Sequence, residues 1–365
     1  MTSRAGLIIR NNSSYMELYK SKTLISYTQK ILNNPIDISM DDSWIDRIFD
    51  WADENKIDEL YFIEKGFNSK YPRGLPRNKQ TLLNLEELNL SKYNLTYLPK
   101  EICNLTKLKK LHLYKNRLRF IPREINNLQM LVELSLSKNN LSRLPGEICG
   151  LKNLEVLALF ENSITSLPSK IGQLKNLIKL NLLGNDLRIL PSGICELENL
   201  DSLSIFDNKL EYLPNEIGNL KNLTELLVNH NYLVELPESI GELKKLKVLW
   251  LYENRLEELP CSIGNLTELT DLWLYSNNLK TIPSEISNLS NLKELWLSNN
   301  CLINLPQNLD SLKRLKEFNL SNNNIAHLPI ELSYLKDLSW LEVDKTVPIG
   351  NEFDDFIQKS IIKFS

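Results

Sequence analysis

The residue types that most often perform catalysis or bind metals are few in this sequence and lie far apart. Of the 365 residues, three are histidines, His112, His230 and His327, and five are cysteines, no two of which form a C-x-x-C pair. This spacing indicates neither a zinc site nor a disulfide framework. No phosphate-binding loop, nucleophile elbow or metalloprotease motif is present. We therefore expect no enzyme, no cofactor and no metal ion.

Aromatic side chains, in contrast, recur at a fixed interval and point to noncovalent binding. Trp250, Trp273 and Trp296 are 23 residues apart, and Tyr252 and Tyr275 follow the first two of them. Tryptophan and tyrosine carry a large apolar surface and are enriched at the centres of protein interfaces. The chemistry expected here is contact with another macromolecule.

The 23-residue interval extends over most of the chain. Leucines recur at this interval from Leu85 to Leu338, and each begins the pattern L-x-x-L-x-L-x-x-N-x-L-x-x-L-P-x-x-I-x-x-L-x-x. Its fourth and sixth positions alternate with a free position, which is the period of a strand with one buried face. The later apolar residues are spaced by three and four, which suits a return segment with a short helical turn. Since one unit cannot bury its own leucines, we predict stacked copies with parallel strands.

This pattern resembles the leucine-rich repeat family, and eleven full copies cover residues 85–337. The resemblance implies an α/β solenoid, a leucine-rich repeat horseshoe with a parallel concave β-sheet and amphipathic N- and C-terminal caps. It also implies that the ninth-position asparagines, present in ten repeats and replaced by Tyr93 in the first, turn inward to bond backbone groups. Unsatisfied buried backbone groups are costly, which favours that structural role.

The predicted domain organisation has four parts. Residues 1–40 are polar and aperiodic, so we expect a mostly disordered N-terminal tail. Residues 41–84 are predicted to form a helical cap and a degenerate repeat, residues 85–337 the eleven repeats, and residues 338–365 a C-terminal cap.

Both predicted caps depend on short apolar patterns. In the N-terminal cap, Trp44, Ile45, Ile48, Phe49 and Ala52 lie on one helical face. A strand is predicted at residues 57–62, and Leu75–Pro76 is interpreted as the remnant of a repeat. In the C-terminal cap, one face of a short helix is predicted from Phe353, Phe356, Ile357 and Ile361.

Three of the cysteines share one repeat position. Cys103, Cys149 and Cys195 are two repeats apart, about 9.6 Å at strand spacing, which exceeds the Cα separation a disulfide allows. We expect all five cysteines to be free thiols packed as small hydrophobic residues.

The free positions of each strand define the candidate binding surface. The fifth and seventh positions flank the buried sixth, so we predict that they project from the concave face, and the eighth adds charge. Contiguous exposed apolar patches usually mark interaction sites, although neighbouring aromatics can also simply stack and stabilise a sheet. The predicted partner-binding residues are Trp250, Trp273, Trp296, Tyr252, Tyr275, Phe160, Leu183, Phe206, Leu227, Tyr114, Glu253 and Asp207.

Composition narrows the class of partner. A hydrophobic fraction of 42% and a charged fraction of 24% are those of an ordinary soluble protein. The net charge of −3 gives no basic stripe for nucleic acid, and no apolar run is long enough for a membrane span. We therefore expect a monomeric, non-enzymatic protein-binding module that uses the concave face.

Two biological settings remain open. Residues 51–83 resemble the N-terminal lead of bacterial leucine-rich repeat proteins, including type III secretion effectors of enteric pathogens. This resemblance implies an effector-like protein that resides in the bacterial cytoplasm before export and acts on a host protein in the host cytoplasm. The alternative is a cytoplasmic scaffold or signalling adaptor resembling the Ras-group leucine-rich repeat proteins. A sugar- or lipid-binding receptor fits the aromatic face less well, because the sequence shows no export signal.

Overall fold

The computed structural model describes residues 42–59 and 73–365. They form an open α/β solenoid around one thirteen-stranded parallel sheet, in which the strand order follows the sequence. The predicted fold class is confirmed. The strands are β1 (Glu87–Asn89), β2 (Lys110–His112), β3 (Glu133–Ser135), β4 (Val156–Ala158), β5 (Lys179–Asn181), β6 (Ser202–Ser204), β7 (Glu225–Leu227), β8 (Val248–Trp250), β9 (Asp271–Trp273), β10 (Glu294–Trp296), β11 (Glu317–Asn319), β12 (Trp340–Val343) and β13 (Ile362–Phe364).

Each repeat strand covers the third to fifth positions of the sequence pattern. The fourth-position leucines pair in register from strand to strand, as in Leu249↔Leu272 and Leu272↔Leu295, and all three are fully buried. Phe318 takes this position in β11 and is also fully buried. Because every interval is 23 residues, each repeat position becomes a straight row across the sheet.

The asparagine prediction is confirmed by the hydrogen bonds. Asn254 Oδ1 accepts from the Leu233 N–H at 3.0 Å, and its Nδ2 donates to the carbonyls of Val228 and Leu251 at 3.1 and 2.9 Å. Each of the ten ninth-position asparagines makes the same set of contacts, from Asn116 to Asn323. The amides therefore satisfy backbone groups inside the stack.

The return segments contain 3₁₀ helices, which give the predicted short helical turn. In the eighth repeat, Pro260 at φ −66° precedes the turn, and its carbonyl accepts from the Ile263 N–H at 3.0 Å. These helices are Lys100–Asn104, Arg123–Asn127, Gly146–Gly150, Ile171–Gln173, Ser192–Glu196, Ile217–Asn219, Glu238–Glu242, Cys261–Asn265, Ser284–Asn288, Leu309–Ser311 and Ile330–Tyr334, and a further 3₁₀ helix, Asn351–Phe353, lies in the C-terminal cap.

The 3₁₀ turns stack closely at their nineteenth position, which selects small residues. A Cβ on Gly241 would lie 2.4 Å from the Ser262 carbonyl oxygen of the next turn. Cys103, Cys149 and Cys195 occupy this position in their own repeats and are buried free thiols. The remaining two cysteines, Cys261 and Cys301, are also free but exposed, so the prediction that all five are packed is wrong for them.

Helix α1 (Ser43–Glu54) covers the first repeat. It buries Ile45, Ile48, Trp51 and Ala52, while Trp44 and Phe49 pack partly buried against the same core. Arg47 of α1 also bonds the Glu101 carboxylate of the first 3₁₀ turn at 3.0 Å.

Residues 73–84 complete this end of the sheet. The predicted tail and residues 60–62 of the predicted strand lie outside the described residues, and 57–59 form no strand. Leu75 is fully buried, and Gly74 forms an isolated antiparallel bridge with Asn89. Helix α2 (Lys79–Leu83) follows, and the Asn78 side chain accepts from the Thr81 N–H.

The other end of the solenoid combines a helix and a strand. Helix α3 (Asp354–Gln358) buries Phe356 beside Phe353, whereas Ile357 is exposed. The chain then adds β13 to the sheet, with Leu341 paired to Ile362, a strand that the sequence pattern did not indicate. No helix in residues 42–59 and 73–365 is long and apolar enough to cross a membrane.

Candidate protein-interaction surface

The concave face consists of side chains on either side of the buried fourth-position row. Third- and fifth-position side chains share one face of each three-residue strand, because successive side chains alternate. The seventh position lies on the same side just beyond the strand. At the eighth position, the backbone takes a left-handed φ between 50° and 63° in all eleven repeats, including Asp207, Gly184 and Glu253. The chain therefore turns sharply at one edge of the concave face.

Six aromatic rings meet on the C-terminal part of this face, and we call them the aromatic cluster. Its members are Trp250, Tyr252, Trp273, Tyr275, Trp296 and Trp340. Trp250 and Trp273 stack with ring centroids 4.4 Å apart and planes 5° apart. Tyr252 and Tyr275 stack at 4.3 Å and 11°. The in-register strands set these close spacings, since each ring stands one strand from its neighbour.

Towards the C-terminus the stacking loosens. Trp296 lies 5.7 Å from Trp273 and is tilted by 40°, and Trp340 lies 5.6 Å from Trp296 at 29°. The four tryptophans are partly exposed rather than free in solvent, because they cover one another. Burial, together with the neighbouring Tyr252 hydroxyl, raises the pKa of Tyr275, so this tyrosine keeps its hydroxyl proton at neutral pH. The cluster presents neutral aromatic surface.

A row of carboxylates runs beside the cluster, and we call it the acidic row. Asp271, Glu294 and Glu317 occupy the third position of β9, β10 and β11 and are direct register partners. Trp273 Nε1 donates to Glu294 Oε2 at 3.1 Å. Burial raises the pKa of Glu294, and the charges of Asp271 and Glu317 raise it further, whereas the Trp273 bond opposes the shift. The strand register therefore places three carboxyl groups side by side against the rings.

The second predicted group lies nearer the N-terminus and is less continuous. Phe160 contacts Tyr114, with centroids 6.0 Å apart, and Leu183 and Phe206 are partly buried. Leu227 is only 9% exposed, because it lies between its register partners Ser204 and Trp250. In the row of seventh positions Asn229 lies between Phe206 and Tyr252, so that row is interrupted, whereas Leu227 adjoins Trp250 in the fifth-position row.

The predicted charged residues lie at the edge of the face. Glu253 is 2.7 Å from His230 Nδ1, and the His230 ring packs edge-on against Tyr252 at 5.3 Å. Asp207 is exposed. Both acids occupy the eighth position, so their direction is set by the left-handed turn.

The sequence analysis missed the third position of the strands. Trp340 and the whole acidic row lie there, and the same alternation that placed the fifth position on the concave face applies to them. Reading the strand as the fourth to sixth positions, instead of the third to fifth, left them out. In residues 42–59 and 73–365, no group of three or more His, Cys, Asp or Glu side chains is arranged to hold a metal ion.

Comparisons with known proteins agree with this architecture. Residues 134–229 and 202–298 match the leucine-rich repeat region family, and residues 314–335 match a leucine-rich repeat. A comparison with curated proteins finds no match.

Solved structures show the same fold. A leucine-rich repeat protein of Leptospira interrogans is 33% identical over 86% of this chain and 98% of its own, with a TM-score of 0.62. The plant peptide hormone receptor RGFR1, solved in complex with RGF2, is 30% identical over 72% of this chain and 49% of its own, also at 0.62. An internalin of Listeria monocytogenes is 21% identical over 80% of this chain and 84% of its own, at 0.69. The repeat, the fold and these matches together show that the chain belongs to the leucine-rich repeat family.

Proposed function

We propose that this chain is a non-enzymatic protein-binding module whose partner docks on the concave sheet over the aromatic cluster. Leucine-rich repeats commonly serve as protein-interaction modules, and the similar plant receptor was solved with a peptide hormone bound. The observation that carries the proposal is the contiguity of six partly exposed rings on one side of an open sheet. Contiguous aromatic surface of this kind is typical of interface centres.

Stacking between rings explains only part of this surface. Neighbouring aromatic pairs stabilise a sheet modestly, and that benefit needs no further partner. However, Trp250 Nε1 and Trp296 Nε1 are buried and have no acceptor among the described residues. Buried indole N–H groups normally find a partner, so the stacked arrangement leaves two donors unsatisfied and is not explained by sheet stability alone.

The proposal is tested by capture with matched variants of the full chain. Wild type, Trp273→Ala and Tyr212→Ala are immobilised, and proteins bound from candidate host or source-cell extracts are quantified. Tyr212 is the control because it is 53% exposed and lies in the loop that leaves the sheet, away from the concave face. We expect a partner retained by wild type and Tyr212→Ala and weakened by about 2–4 kcal/mol with Trp273→Ala, as for an interface hot spot.

The interpretation of this experiment depends on a stability measurement and on one outcome that would contradict the proposal. Because Trp273 is stacked between two rings, its removal will also lower stability, so the melting temperature of each variant is measured beside its binding. A partner retained equally by Trp273→Ala and wild type would contradict docking at the aromatic cluster and would favour the group around Phe160 and Phe206.

The biological setting is a separate proposal. An effector-like role on a host protein is supported by the sequence resemblance of residues 51–83 and by a similar bacterial protein at 33% identity. A reporter fused to residues 1–40 tests this directly. Translocation that depends on a type III apparatus supports the effector setting, and its absence favours the cytoplasmic scaffold.

A further inference from the structure

The acidic row holds negative charge that its own neighbours do not neutralise. Asp271, Glu294 and Glu317 face one another in register on adjacent strands, and like charges in that arrangement destabilise a sheet. Asp271 accepts from the Thr270 hydroxyl, and the charge of Lys293 acts on Glu294 from the next position. Among the described residues, however, none of the three carboxylates forms an ion pair. A cationic partner would relieve this repulsion.

Carboxylate and indole alternate at a constant spacing. Each fifth-position tryptophan stands beside the third-position acid of the following strand, which gives the steps Trp250–Asp271, Trp273–Glu294 and Trp296–Glu317. Only the middle step is closed by a hydrogen bond. The indole N–H groups of Trp250 and Trp296 have no acceptor in the described part of the chain. The surface thus repeats an apolar ring next to an anionic group.

A third polar group lies unsatisfied at the N-terminal edge of the cluster. Asn229 is 1% exposed, and neither its Oδ1 nor its Nδ2 has a hydrogen-bond partner in the described residues. It occupies the seventh, concave-side position next to Tyr252. A buried amide that makes no hydrogen bond is unusual, and it marks a polar limit to the cluster at its N-terminal edge.

These features match one kind of occupant. Lysine and arginine side chains combine an aliphatic stem with a charged head, so they pack along apolar surface while the head reaches an anion. The cluster spans β8 to β12, about 19 Å at a strand spacing of about 4.8 Å. An extended chain covers that distance with about six residues.

We propose that the partner binds the aromatic cluster through an extended segment of about six residues that carries a lysine or arginine. The stem of that side chain packs on Trp273 and Trp296, and its charged head is held by Glu294 and Glu317. This inference rests on the proposed function, which it extends by naming the chemistry of the segment.

A displayed library of random seven-residue linear peptides, selected on the immobilised full chain, tests it. We expect the recovered peptides to be enriched in lysine or arginine beside apolar residues. Their synthetic versions should bind about tenfold or more weakly to Glu294→Gln/Glu317→Gln, and more weakly as salt is raised. The matched control, Glu211→Gln/Glu268→Gln, removes the same charge from exposed residues outside the concave face and should bind like wild type.

The outcomes separate the two proposals. The glutamine variant keeps an acceptor for Trp273 and loses repulsion, so its melting temperature should not fall, and weaker binding cannot be ascribed to unfolding. Recovery of no peptide with a basic residue, or equal affinity for the glutamine variant and wild type, overturns the basic occupant. If, in either of these cases, the recovered peptides bind Trp273→Ala more weakly than wild type, docking at the aromatic cluster is still supported. If Trp273→Ala leaves their affinity unchanged, both proposals are wrong.

Discussion

The two ends of the concave sheet arrange charge in opposite ways. On β1 to β3 the third-position row reads Glu87, Lys110 and Glu133, and Lys110 Nζ lies 3.3 Å from the Glu87 carboxylate. On β9 to β11 the same row is the acidic row, with no cation in register. The backbone is equivalent at both ends, because every repeat has 23 residues. Surface charge is therefore free to vary from repeat to repeat, and at the C-terminal end three acids stand in register beside aromatic rings.

Thiol reactivity should also differ between the N-terminal and C-terminal repeats, and this is the largest effect that we expect. Burial raises the pKa of Cys103 and Cys195 to about 12, and Cys149 is buried as well, whereas Cys261 and Cys301 lie exposed in the C-terminal repeats. In native protein, two thiols should react with a maleimide or disulfide reagent roughly a thousandfold faster than the other three. Mass spectrometry of a labelling time course measures this. Equal rates for all five would show that the N-terminal turns are loosely stacked.

The same labelling experiment should also distinguish the rates of the two exposed cysteines, Cys261 and Cys301. The Glu285 carboxylate raises the pKa of Cys261, so its thiolate fraction at neutral pH is reduced. Cys301 should therefore label before Cys261, and the reverse order would contradict this local electrostatic effect.

Equivalent core substitutions should lower the free energy of unfolding by similar amounts at the two ends. Leu113 and Leu274 occupy the sixth position of different repeats, and both are fully buried. Replacing either by alanine should lower the free energy of unfolding by about 2–5 kcal/mol, since each leaves a cavity in a stacked core. Urea unfolding of both variants measures the two values side by side. A large cost at one end alone would mean that the ends differ in packing and not only in surface charge.

Reversing one charge in each third-position row should change stability in opposite directions at the two ends. Lys110→Glu creates three acids in register and should lower stability, whereas Glu317→Lys places a cation opposite Glu294 and should raise it, each by about 0.5 kcal/mol. Glu317→Lys also leaves the Trp273–Glu294 hydrogen bond in place. Thermal melts at low and high salt measure both changes, which should shrink as salt is added. Shifts of the same sign would refute the contrast between the rows.

Eighth-position substitutions give the smallest expected effect. Lys115 and Ser276 have φ of 55° and 56°, a conformation that strains residues with a Cβ and that Gly184 adopts naturally in its own repeat. Lys115→Gly and Ser276→Gly should each raise the free energy of unfolding by about 0.5–1 kcal/mol, because the backbone strain that is relieved exceeds the larger conformational entropy that glycine loses on folding. Denaturant titration measures the gain. An effect at one site alone would show that a side-chain contact outweighs the backbone strain.

The repeat made most of the architecture predictable. The 23-residue interval determined the parallel sheet, the buried leucine rows, the asparagine contacts and the proline that begins each turn, because period-2 burial and backbone satisfaction are local properties repeated without insertion. It also identified five of the six rings in the aromatic cluster. The sequence analysis missed the third-position row, which contains Trp340 and the acidic row, because it placed each strand one position too late.

Contacts between repeats required the tertiary structure. Trp340 reaches Trp296 from two strands away, and β13 extends the sheet outside the repeat pattern. These features depend on side-chain rotamers and on neighbours one or more repeats away, which no local period records. The sequence determined which positions face the concave side, and only the packing of the strands decided which of them touch, because contact requires residues distant in the chain to share the same few ångströms.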